Sequence, residues 1–440
     1  MRRSLLTLLL LLSFGTLTAR SYTKAHRRVI AAGSGYYKEL FMDGGIAVTS
    51  RRELHAADAL GIGMEFFAEP SADEPSAADS LAQQQIFCGS SIDTNGWLLY
   101  PDGAPRYRAI YVNGGNANHH ARSLMAEGRS HIQAFVAAGG SYVGTCAGAY
   151  MATAGSRRSG KSNTRFADLY LHLWPGLMHS THLKKSHTPL RLERKSPLLR
   201  YYNFGGDMVV DSVYHNGGGY ALGDLQGNLP AKTEVLARYL FNDTEKVQID
   251  GKPAIWAYKD SDNSGRVVLI GSHPERAKRG ERRDLMAATL LYAMEGNGKP
   301  QIKGTLTPDQ PREMKLRTEE NCPEYTRIGD KQYHHFVIDV PKHCQQLVLS
   351  LSGYSGEDNF DLTLCAKASE VAFAQNATHK VEGKGCYKEL TVNRPKAGRW
   401  YISVCCTTTV DHYIDKAGTT YVGRTDVLNG VPYAIKATLR

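Results

Sequence analysis

The residues in this chain best suited to chemistry are a cysteine and a distant histidine with a carboxylate beside it. Cys146 sits in Gly140-Ser-Tyr-Val-Gly-Thr-Cys-Ala-Gly-Ala-Tyr150, where a short apolar strand pattern runs into one thiol followed by small residues. Such a strand-to-helix elbow turns sharply, presents the nucleophile at the turn and admits only small neighbours, while the next helix aims its positive end at the sulfur. Thiolate is favoured in that setting. His273 and Glu275 lie in Val267-Val-Leu-Ile-Gly-Ser-His-Pro-Glu275, a second strand pattern that ends in an imidazole with a carboxylate two residues on.

Cleaving an amide or ester with a thiol requires a thiolate, a proton-shuttling imidazole, a carboxylate that orients the ring and donors for the oxyanion. Cys146, His273 and Glu275 match the first three roles. The glycine pair in Asn113-Gly-Gly-Asn116 follows a further strand pattern and lets the main chain approach a substrate closely. The backbone amides of Gly115 and Ala147 are therefore the expected oxyanion hole. Gly114, Asn116, Tyr150 and His215 are the expected substrate-facing residues, His215 because it opens the glycine-rich run His215-Asn-Gly-Gly-Gly-Tyr220. A buried structural cysteine is the plainer alternative, and the Gly-Gly and His-Pro-Glu segments at two other strand ends weigh against it.

Positioning these residues calls for alternating strands and helices. Between residues 28 and 296 the pattern predicts a parallel sheet covered by helices on both faces. Strands are expected at Arg28 to Ala32, Gly63 to Ala68, Tyr107 to Val112, Ala254 to Tyr258 and Arg266 to Ile270, with helices at Ser50 to Leu60, Ser123 to Ala138 and Glu281 to Glu295. Residues 69–80 read as a loop, and residues 154–229 as an insertion, partly extended around Met208 to Tyr214. Residues 297–320 read as a linker. Beyond it, over residues 321–440, six segments alternate apolar with polar residues between Gly, Asp, Asn and Pro turns, the pattern of a small antiparallel β-sandwich.

Residues 28–296 resemble the class I glutamine amidotransferase-like superfamily, in the branch found at the N-terminus of some biotin-protein ligases, through Gly144-Thr-Cys-Ala-Gly-Ala-Tyr150 and the Asn-Gly-Gly loop. The resemblance implies a flavodoxin-like three-layer α/β sandwich and a Cys-His-Glu triad on Cys146, His273 and Glu275. True glutaminases usually place Gln four residues after the nucleophile, where this chain has Tyr150, which argues against free glutamine as substrate. The last third resembles the bacterial pre-peptidase C-terminal domain through Tyr333-His-His-Phe-Val-Ile338, Gly356-Glu-Asp-Asn-Phe-Asp-Leu362 and Gly398-Arg-Trp-Tyr-Ile-Ser-Val404. Such domains accompany secreted hydrolases and are usually noncatalytic.

Arg2-Arg3 followed by the apolar run Leu5 to Leu12 and by Leu17-Thr-Ala19 has the anatomy of a signal peptide over residues 1–19; the run is short for a membrane anchor. Its removal lowers the formal charge from +10 to +8. The basic residues are scattered, with clusters at Arg157-Arg158, Lys184-Lys185 and Arg276 to Arg283, so a solvated basic surface is expected rather than a nucleic-acid interface. Six of the eight cysteines fall after residue 320, and export makes them a plausible disulfide framework, while Cys88 is expected to be a buried thiol.

Gly155-Ser-Arg-Arg-Ser-Gly-Lys-Ser162 spells a phosphate-binding loop, yet it follows what should be a helix rather than a strand, so ATP is not expected. The scattered histidines form no ligand set by spacing, although His179 and His182 suit one face of a short helix. The carboxylates Glu357, Asp358 and Asp361 read as a solvated turn before a calcium site. No cofactor or metal is expected. The expected function is an exported, periplasmic or extracellular cysteine hydrolase of amide bonds in a peptide, a peptidoglycan fragment or a similar compound. The alternative is a noncatalytic binding or scaffold protein of the same fold.

Overall fold

The computed structural model describes residues 22–43, 54–66, 85–158, 164–243, 247–320, 322–354, 359–415 and 418–440. The signal segment, the 69–80 loop, residues 159–162 of the Gly-Lys-Ser motif and residues Glu357 and Asp358 lie outside them. Among the described residues no helix is long and apolar enough to cross a membrane.

The chain opens with helix α1 (residues 22–31), strand β1 (Lys38–Asp43), helix α2 (His55–Leu60), β2 (Met64–Phe66) and the short helical segment α3 (residues 85–88). The strand expected at Arg28 to Ala32 is thus helical. Ala25, Val29 and Ile30 recur at helical spacing and pack on the core together, which an extended chain could not achieve. Next come β3 (Tyr107–Val112), α4 (Ala117–Ser123), α5 (Met125–Ala137), β4 (Ser141–Thr145) and α6 (Ala147–Met151).

The stretch expected as an insertion carries β5 (Gly155–Arg157), β6 (Leu177–Ser180), β7 (Ser186–Leu192), β8 (Val209–His215) and β9 (Gly219–Gly223). After it follow β10 (Thr233–Tyr239), the small hairpin β11 (Asn242–Asp243) and β12 (Val247–Gln248), β13 (Pro253–Tyr258), β14 (Val267–Ile270) and α7 (Glu281–Glu295).

Nine of these strands form one sheet in the order β2-β1-β3-β4-β14-β13-β10-β7-β8. The first five are parallel and the remaining four antiparallel, so the sheet is mixed where a wholly parallel one was expected. The insertion accounts for part of the difference, since it adds β7 and β8 to the far edge and builds a separate three-stranded sheet from β5, β6 and β9, while β10 and β13, which follow it in sequence, are themselves antiparallel. Side chains alternate across the central strands. Tyr142, Val267 and Leu269 enter the core shared with α5 and α6, whereas Val143, Val268 and Ile270 enter the core shared with α2 and α7.

The C-terminal third is β-rich. One sheet joins β15 (Ile302–Thr305), β17 (Tyr333–Val340), β22 (Gly398–Cys406), β19 (Leu362–Ala368) and β20 (His379–Val381), and the other joins β16 (Arg312–Met314), β25 (Tyr433–Leu439), β18 (Gln346–Gly353) and β21 (Lys388–Asn393). A hairpin of β23 (Asp411–Asp415) and β24 (Gly418–Val422) completes it. The expected linker, 297–320, is corrected by β15 and β16, which pair with β17 and β25 and so belong to these sheets.

No disulfide joins any of the eight cysteines. The disulfide framework expected from composition is therefore not formed, and for Cys365 and Cys405 the register gives the reason: Cys365 faces Ser403 and Cys405 faces Thr363, which sets the two thiols diagonally rather than opposite. Cys88 is half-buried rather than buried, and its thiol points to the Leu124 carbonyl.

The two regions share a core. Arg106 is fully buried between Asp93, at 4.0 Å, and Asp330 from the C-terminal region, at 3.6 Å. Its guanidinium also lies 4.1 Å from the Trp97 ring centroid and 5.0 Å from that of Tyr37. A buried cation held this way ties the β-rich region to the α/β domain, because withdrawing either partner strands a charge.

Candidate functional site

Three neighbouring parallel strands, β3, β4 and β14, end side by side, and the loops leaving their C-terminal ends meet in one place. Register makes the match close, with Val112 opposite Gly144 and Ile270 opposite Thr145. Asn113 to Gly115 therefore leave β3 next to Cys146 at the end of β4, and His273 arrives from β14 on the other side.

Cys146 has φ 47° and ψ −103°, a conformation strained for a residue with a side chain. Its N–H donates to the Ile270 carbonyl at 2.9 Å, which anchors the turn to β14. The small residues after it are dictated by crowding, since a Cβ on Gly148 would lie 2.1 Å from the Val112 carbonyl oxygen. Cys146 is 5 % exposed, and its Sγ points to the Asn216 carbonyl at 3.5 Å.

His273 is fixed by its own N–H, which donates to the Tyr214 carbonyl at 2.7 Å, and by a hydrogen bond between Nδ1 and Glu275 Oε1 at 2.8 Å. With Nδ1 turned to the carboxylate, Nε2 is the nitrogen left for the thiol. Burial of the ring disfavours its charged form, but the Glu275 carboxylate and hydrogen bonding with Cys146 outweigh burial and hold the imidazole well above its ordinary pKa. The Glu275 side chain is itself about nine-tenths buried. Gly114 fills the gap beside the pair: a Cβ there would lie 2.3 Å from His273 Cε1 and 3.4 Å from Cys146 Cβ.

These residues line a cleft of about 200 Å³ together with Gly115, Tyr214, Asn216 and Arg276. Gly115 has φ 154°, and Ala147 is the first residue of α6, where backbone N–H groups lack intrahelical acceptors.

Three expected substrate-facing residues are elsewhere. Asn116 caps α4, its side chain accepting from the N–H groups of Asn118 and His119. The Tyr150 hydroxyl lies against Gly219 of the three-stranded sheet, where a Cβ would approach it to 2.8 Å. His215 is fully buried and hydrogen-bonded to Thr181 Oγ1 at 2.7 Å. Burial, with the nearby His273 charge, lowers its pKa to about 4. The strand period gives the reason. Neighbours on a strand face opposite ways, so Tyr214 and Asn216 reach the cleft and His215 turns inward.

The sequence reading also missed Arg276, treated there as part of a basic cluster; its position directly after Glu275 was the available signal. His179 ends up in β6 rather than a helix, with His182 in the loop beyond it, and among the described residues no group of three or more His, Cys, Asp or Glu is placed to hold a metal. Gly155 to Arg157 form a strand, not the start of a phosphate loop.

Residues 104–289 match the family model described as biotin-protein ligase, N terminal. No curated protein matches the sequence. Among solved structures, a crystal structure of glutamine amidotransferase is similar at 15 % identity and TM-score 0.33, over 57 % of this chain and 98 % of that one. The pre-peptidase C-terminal domain of collagenase from Bacillus anthracis is similar at 12 % identity and TM-score 0.20, over 32 % of this chain and 100 % of that one. PliG of Aeromonas hydrophila, a periplasmic inhibitor of g-type lysozyme, is similar at 16 % identity and TM-score 0.19, over 32 % and 100 %. The chain thus resembles amidotransferase-like and pre-peptidase C-terminal domains, and similarity at this level carries no functional argument.

Proposed function

We propose that the protein is an exported cysteine-dependent hydrolase of amide bonds, with Cys146 as nucleophile, His273 as general base and acid and Glu275 as the group that orients the ring. The observation that carries the reading is the convergence, in one cleft, of a thiol on a strained strand-to-helix turn and an imidazole hydrogen-bonded to a buried carboxylate that favours its protonated form. In this mechanism Cys146 passes its proton to His273 and the resulting thiolate attacks the amide carbonyl, forming a C–S bond and an oxyanion that the backbone amides of Gly115 and Ala147 receive. His273 then protonates the departing amine as the C–N bond breaks. Water, deprotonated by His273, attacks the thioester and releases the acid and the thiol.

The motifs Gly144 to Tyr150 and Asn113 to Asn116 support a flavodoxin-like layering for the α/β part, and those at 333–338, 356–362 and 398–404 a noncatalytic role for the β-rich part. The Arg2-Arg3 and Leu5 to Leu12 segment supports export, and hence a peptide, peptidoglycan-derived or similar extracytoplasmic amide as substrate.

The test is to incubate the protein with peptide and muropeptide pools, quench in acid and weigh the intact protein. A thioester adduct on Cys146, absent in Cys146→Ser, is expected. Amide hydrolysis that persists in Cys146→Ser would remove the nucleophile from the mechanism. A noncatalytic binding role is favoured by one observation, the low exposure of a sulfur already engaged by the Asn216 carbonyl.

A further inference from the structure

His273, Glu275 and Arg276 leave the end of β14 together, the last two in the single turn Pro274–Arg276, so the residue after the carboxylate is carried to the same cleft. Arg276 is the one lysine or arginine among the described residues that line it, and Glu275, the one carboxylate, is taken by His273. The Arg276 guanidinium carbon lies 4.1 Å from the Tyr214 ring centroid, and that ring stands 5.7 Å from the imidazole of His273. Tyr214 therefore forms a wall shared by the cation and the catalytic ring. An arginine held near an aromatic ring keeps its planar fork of N–H donors, the shape that grips a carboxylate through two parallel hydrogen bonds. A single planar fork of this kind matches the two oxygens of a carboxylate through parallel N–H···O bonds.

We infer that Arg276 is the carboxylate-recognition residue of this cleft, so that the amide cleaved at Cys146 carries a free carboxylate close to the scissile bond. The inference rests on the reading of Cys146 as a nucleophile and narrows its substrates to acidic amides, such as a peptide bond beside a free C-terminus or a side-chain acid.

Iodoacetate and iodoacetamide test this on the full chain without a known substrate. Both form the same C–S bond with loss of iodide, and they differ only in carrying a carboxylate or a neutral amide. The rate of modification at Cys146 is followed by peptide mass mapping for each reagent, and the ratio of the two rates is compared with that of free cysteine. A charge-assisted pair gives a ratio raised about tenfold or more over free cysteine. Arg276→Gln, at an exposed position, is expected to lose most of that preference, and Arg276→Lys to keep part of it. His273 is unchanged in both variants, so its own attraction for anions cancels in the comparison. A ratio unaltered by Arg276→Gln overturns the inference. The nucleophile reading is judged separately, by the absolute iodoacetamide rate: a slow rate with a ratio that still depends on Arg276 sinks the catalytic reading and leaves the anion site standing.

Discussion

Gly114→Ala would place a methyl group 2.3 Å from Cε1 of His273, 3.0 Å from its Nδ1 and 3.4 Å from Cβ of Cys146. Ordinary contact begins at 3.4 Å, so the imidazole must retreat by about 1.1 Å, the difference between that distance and 2.3 Å. Gly114 does not need a left-handed backbone, and the obstructing atoms belong to a side chain, so the fold itself can absorb the change; overpacking of this kind costs about 1–3 kcal/mol. The site cannot absorb it. The hydrogen bond from His273 to Glu275 is 2.8 Å long, and a retreat of this size breaks it or carries the ring away from the sulfur. A displacement of roughly 1 Å in a catalytic arrangement costs about 10²-fold in rate.

The assay is the rate of carboxamidomethylation of Cys146 at pH 6, with the titration of His273 followed by NMR and folding checked by thermal melting. The variant is expected to stay folded, to label about 10²-fold more slowly and to show a His273 pKa closer to the ordinary value. A folded Gly114→Ala protein with wild-type labelling and wild-type His273 titration would refute the reasoning, because the clash would then have been relieved without disturbing the pair.

Other consequences concern charge and cooperativity. The folded pKa of His273 lies above its unfolded value, so its pairing stabilises the protein fully below about pH 6.5 and is lost as pH rises through the folded value. Glu275→Gln is therefore expected to lower the Tm most near pH 6 and progressively less at higher pH; a Tm difference independent of pH would contradict this. Arg106→Ala leaves Asp93 and Asp330 buried without their cation and is expected to cost about 3–5 kcal/mol in urea unfolding. Burial, opposed by Arg106, already raises Asp93 to about 7 and raises Asp330 as well, and folded carboxyls with raised pKa lose stability as pH rises. Without the cation that loss deepens, so the deficit should be larger at pH 8 than at pH 5, and equal deficits would count against the buried ion cluster. Because Trp97 packs in the core shared with the β-rich region and Trp400 lies within that region, unfolding followed by fluorescence should show a single transition. Two well-separated transitions would mean that the regions are independent.

Much of the architecture could be read from hydrophobic period alone. Tyr107 to Val112 and Glu281 to Glu295 match their expected bounds, and the six period-two segments after residue 330 all became strands. What escaped was set by tertiary context. Residues 28–32 are apolar enough to suit a strand, but their spacing to Ala25 gives a helix face. The insertion between 154 and 229 shows no simple period because its strands serve two different sheets. In the site, Cys146, His273, Glu275 and Gly114 could be found because each stands at the end of a strong strand pattern. The choice of His215 over Tyr214 and Asn216 was one residue out, an error that composition invites and a strand's alternation punishes. Arg276 was hidden among other basic residues, since only the turn geometry separates a cleft cation from a solvated one.

The most direct test is intact-mass labelling of the folded protein by a peptide chloromethyl ketone, comparing wild type with Cys146→Ala and His273→Ala. A histidine-activated nucleophile gives one adduct on the wild type and none on either variant within the same time. An unlabelled wild type, or a His273→Ala protein labelled as fast as the wild type, would contradict it.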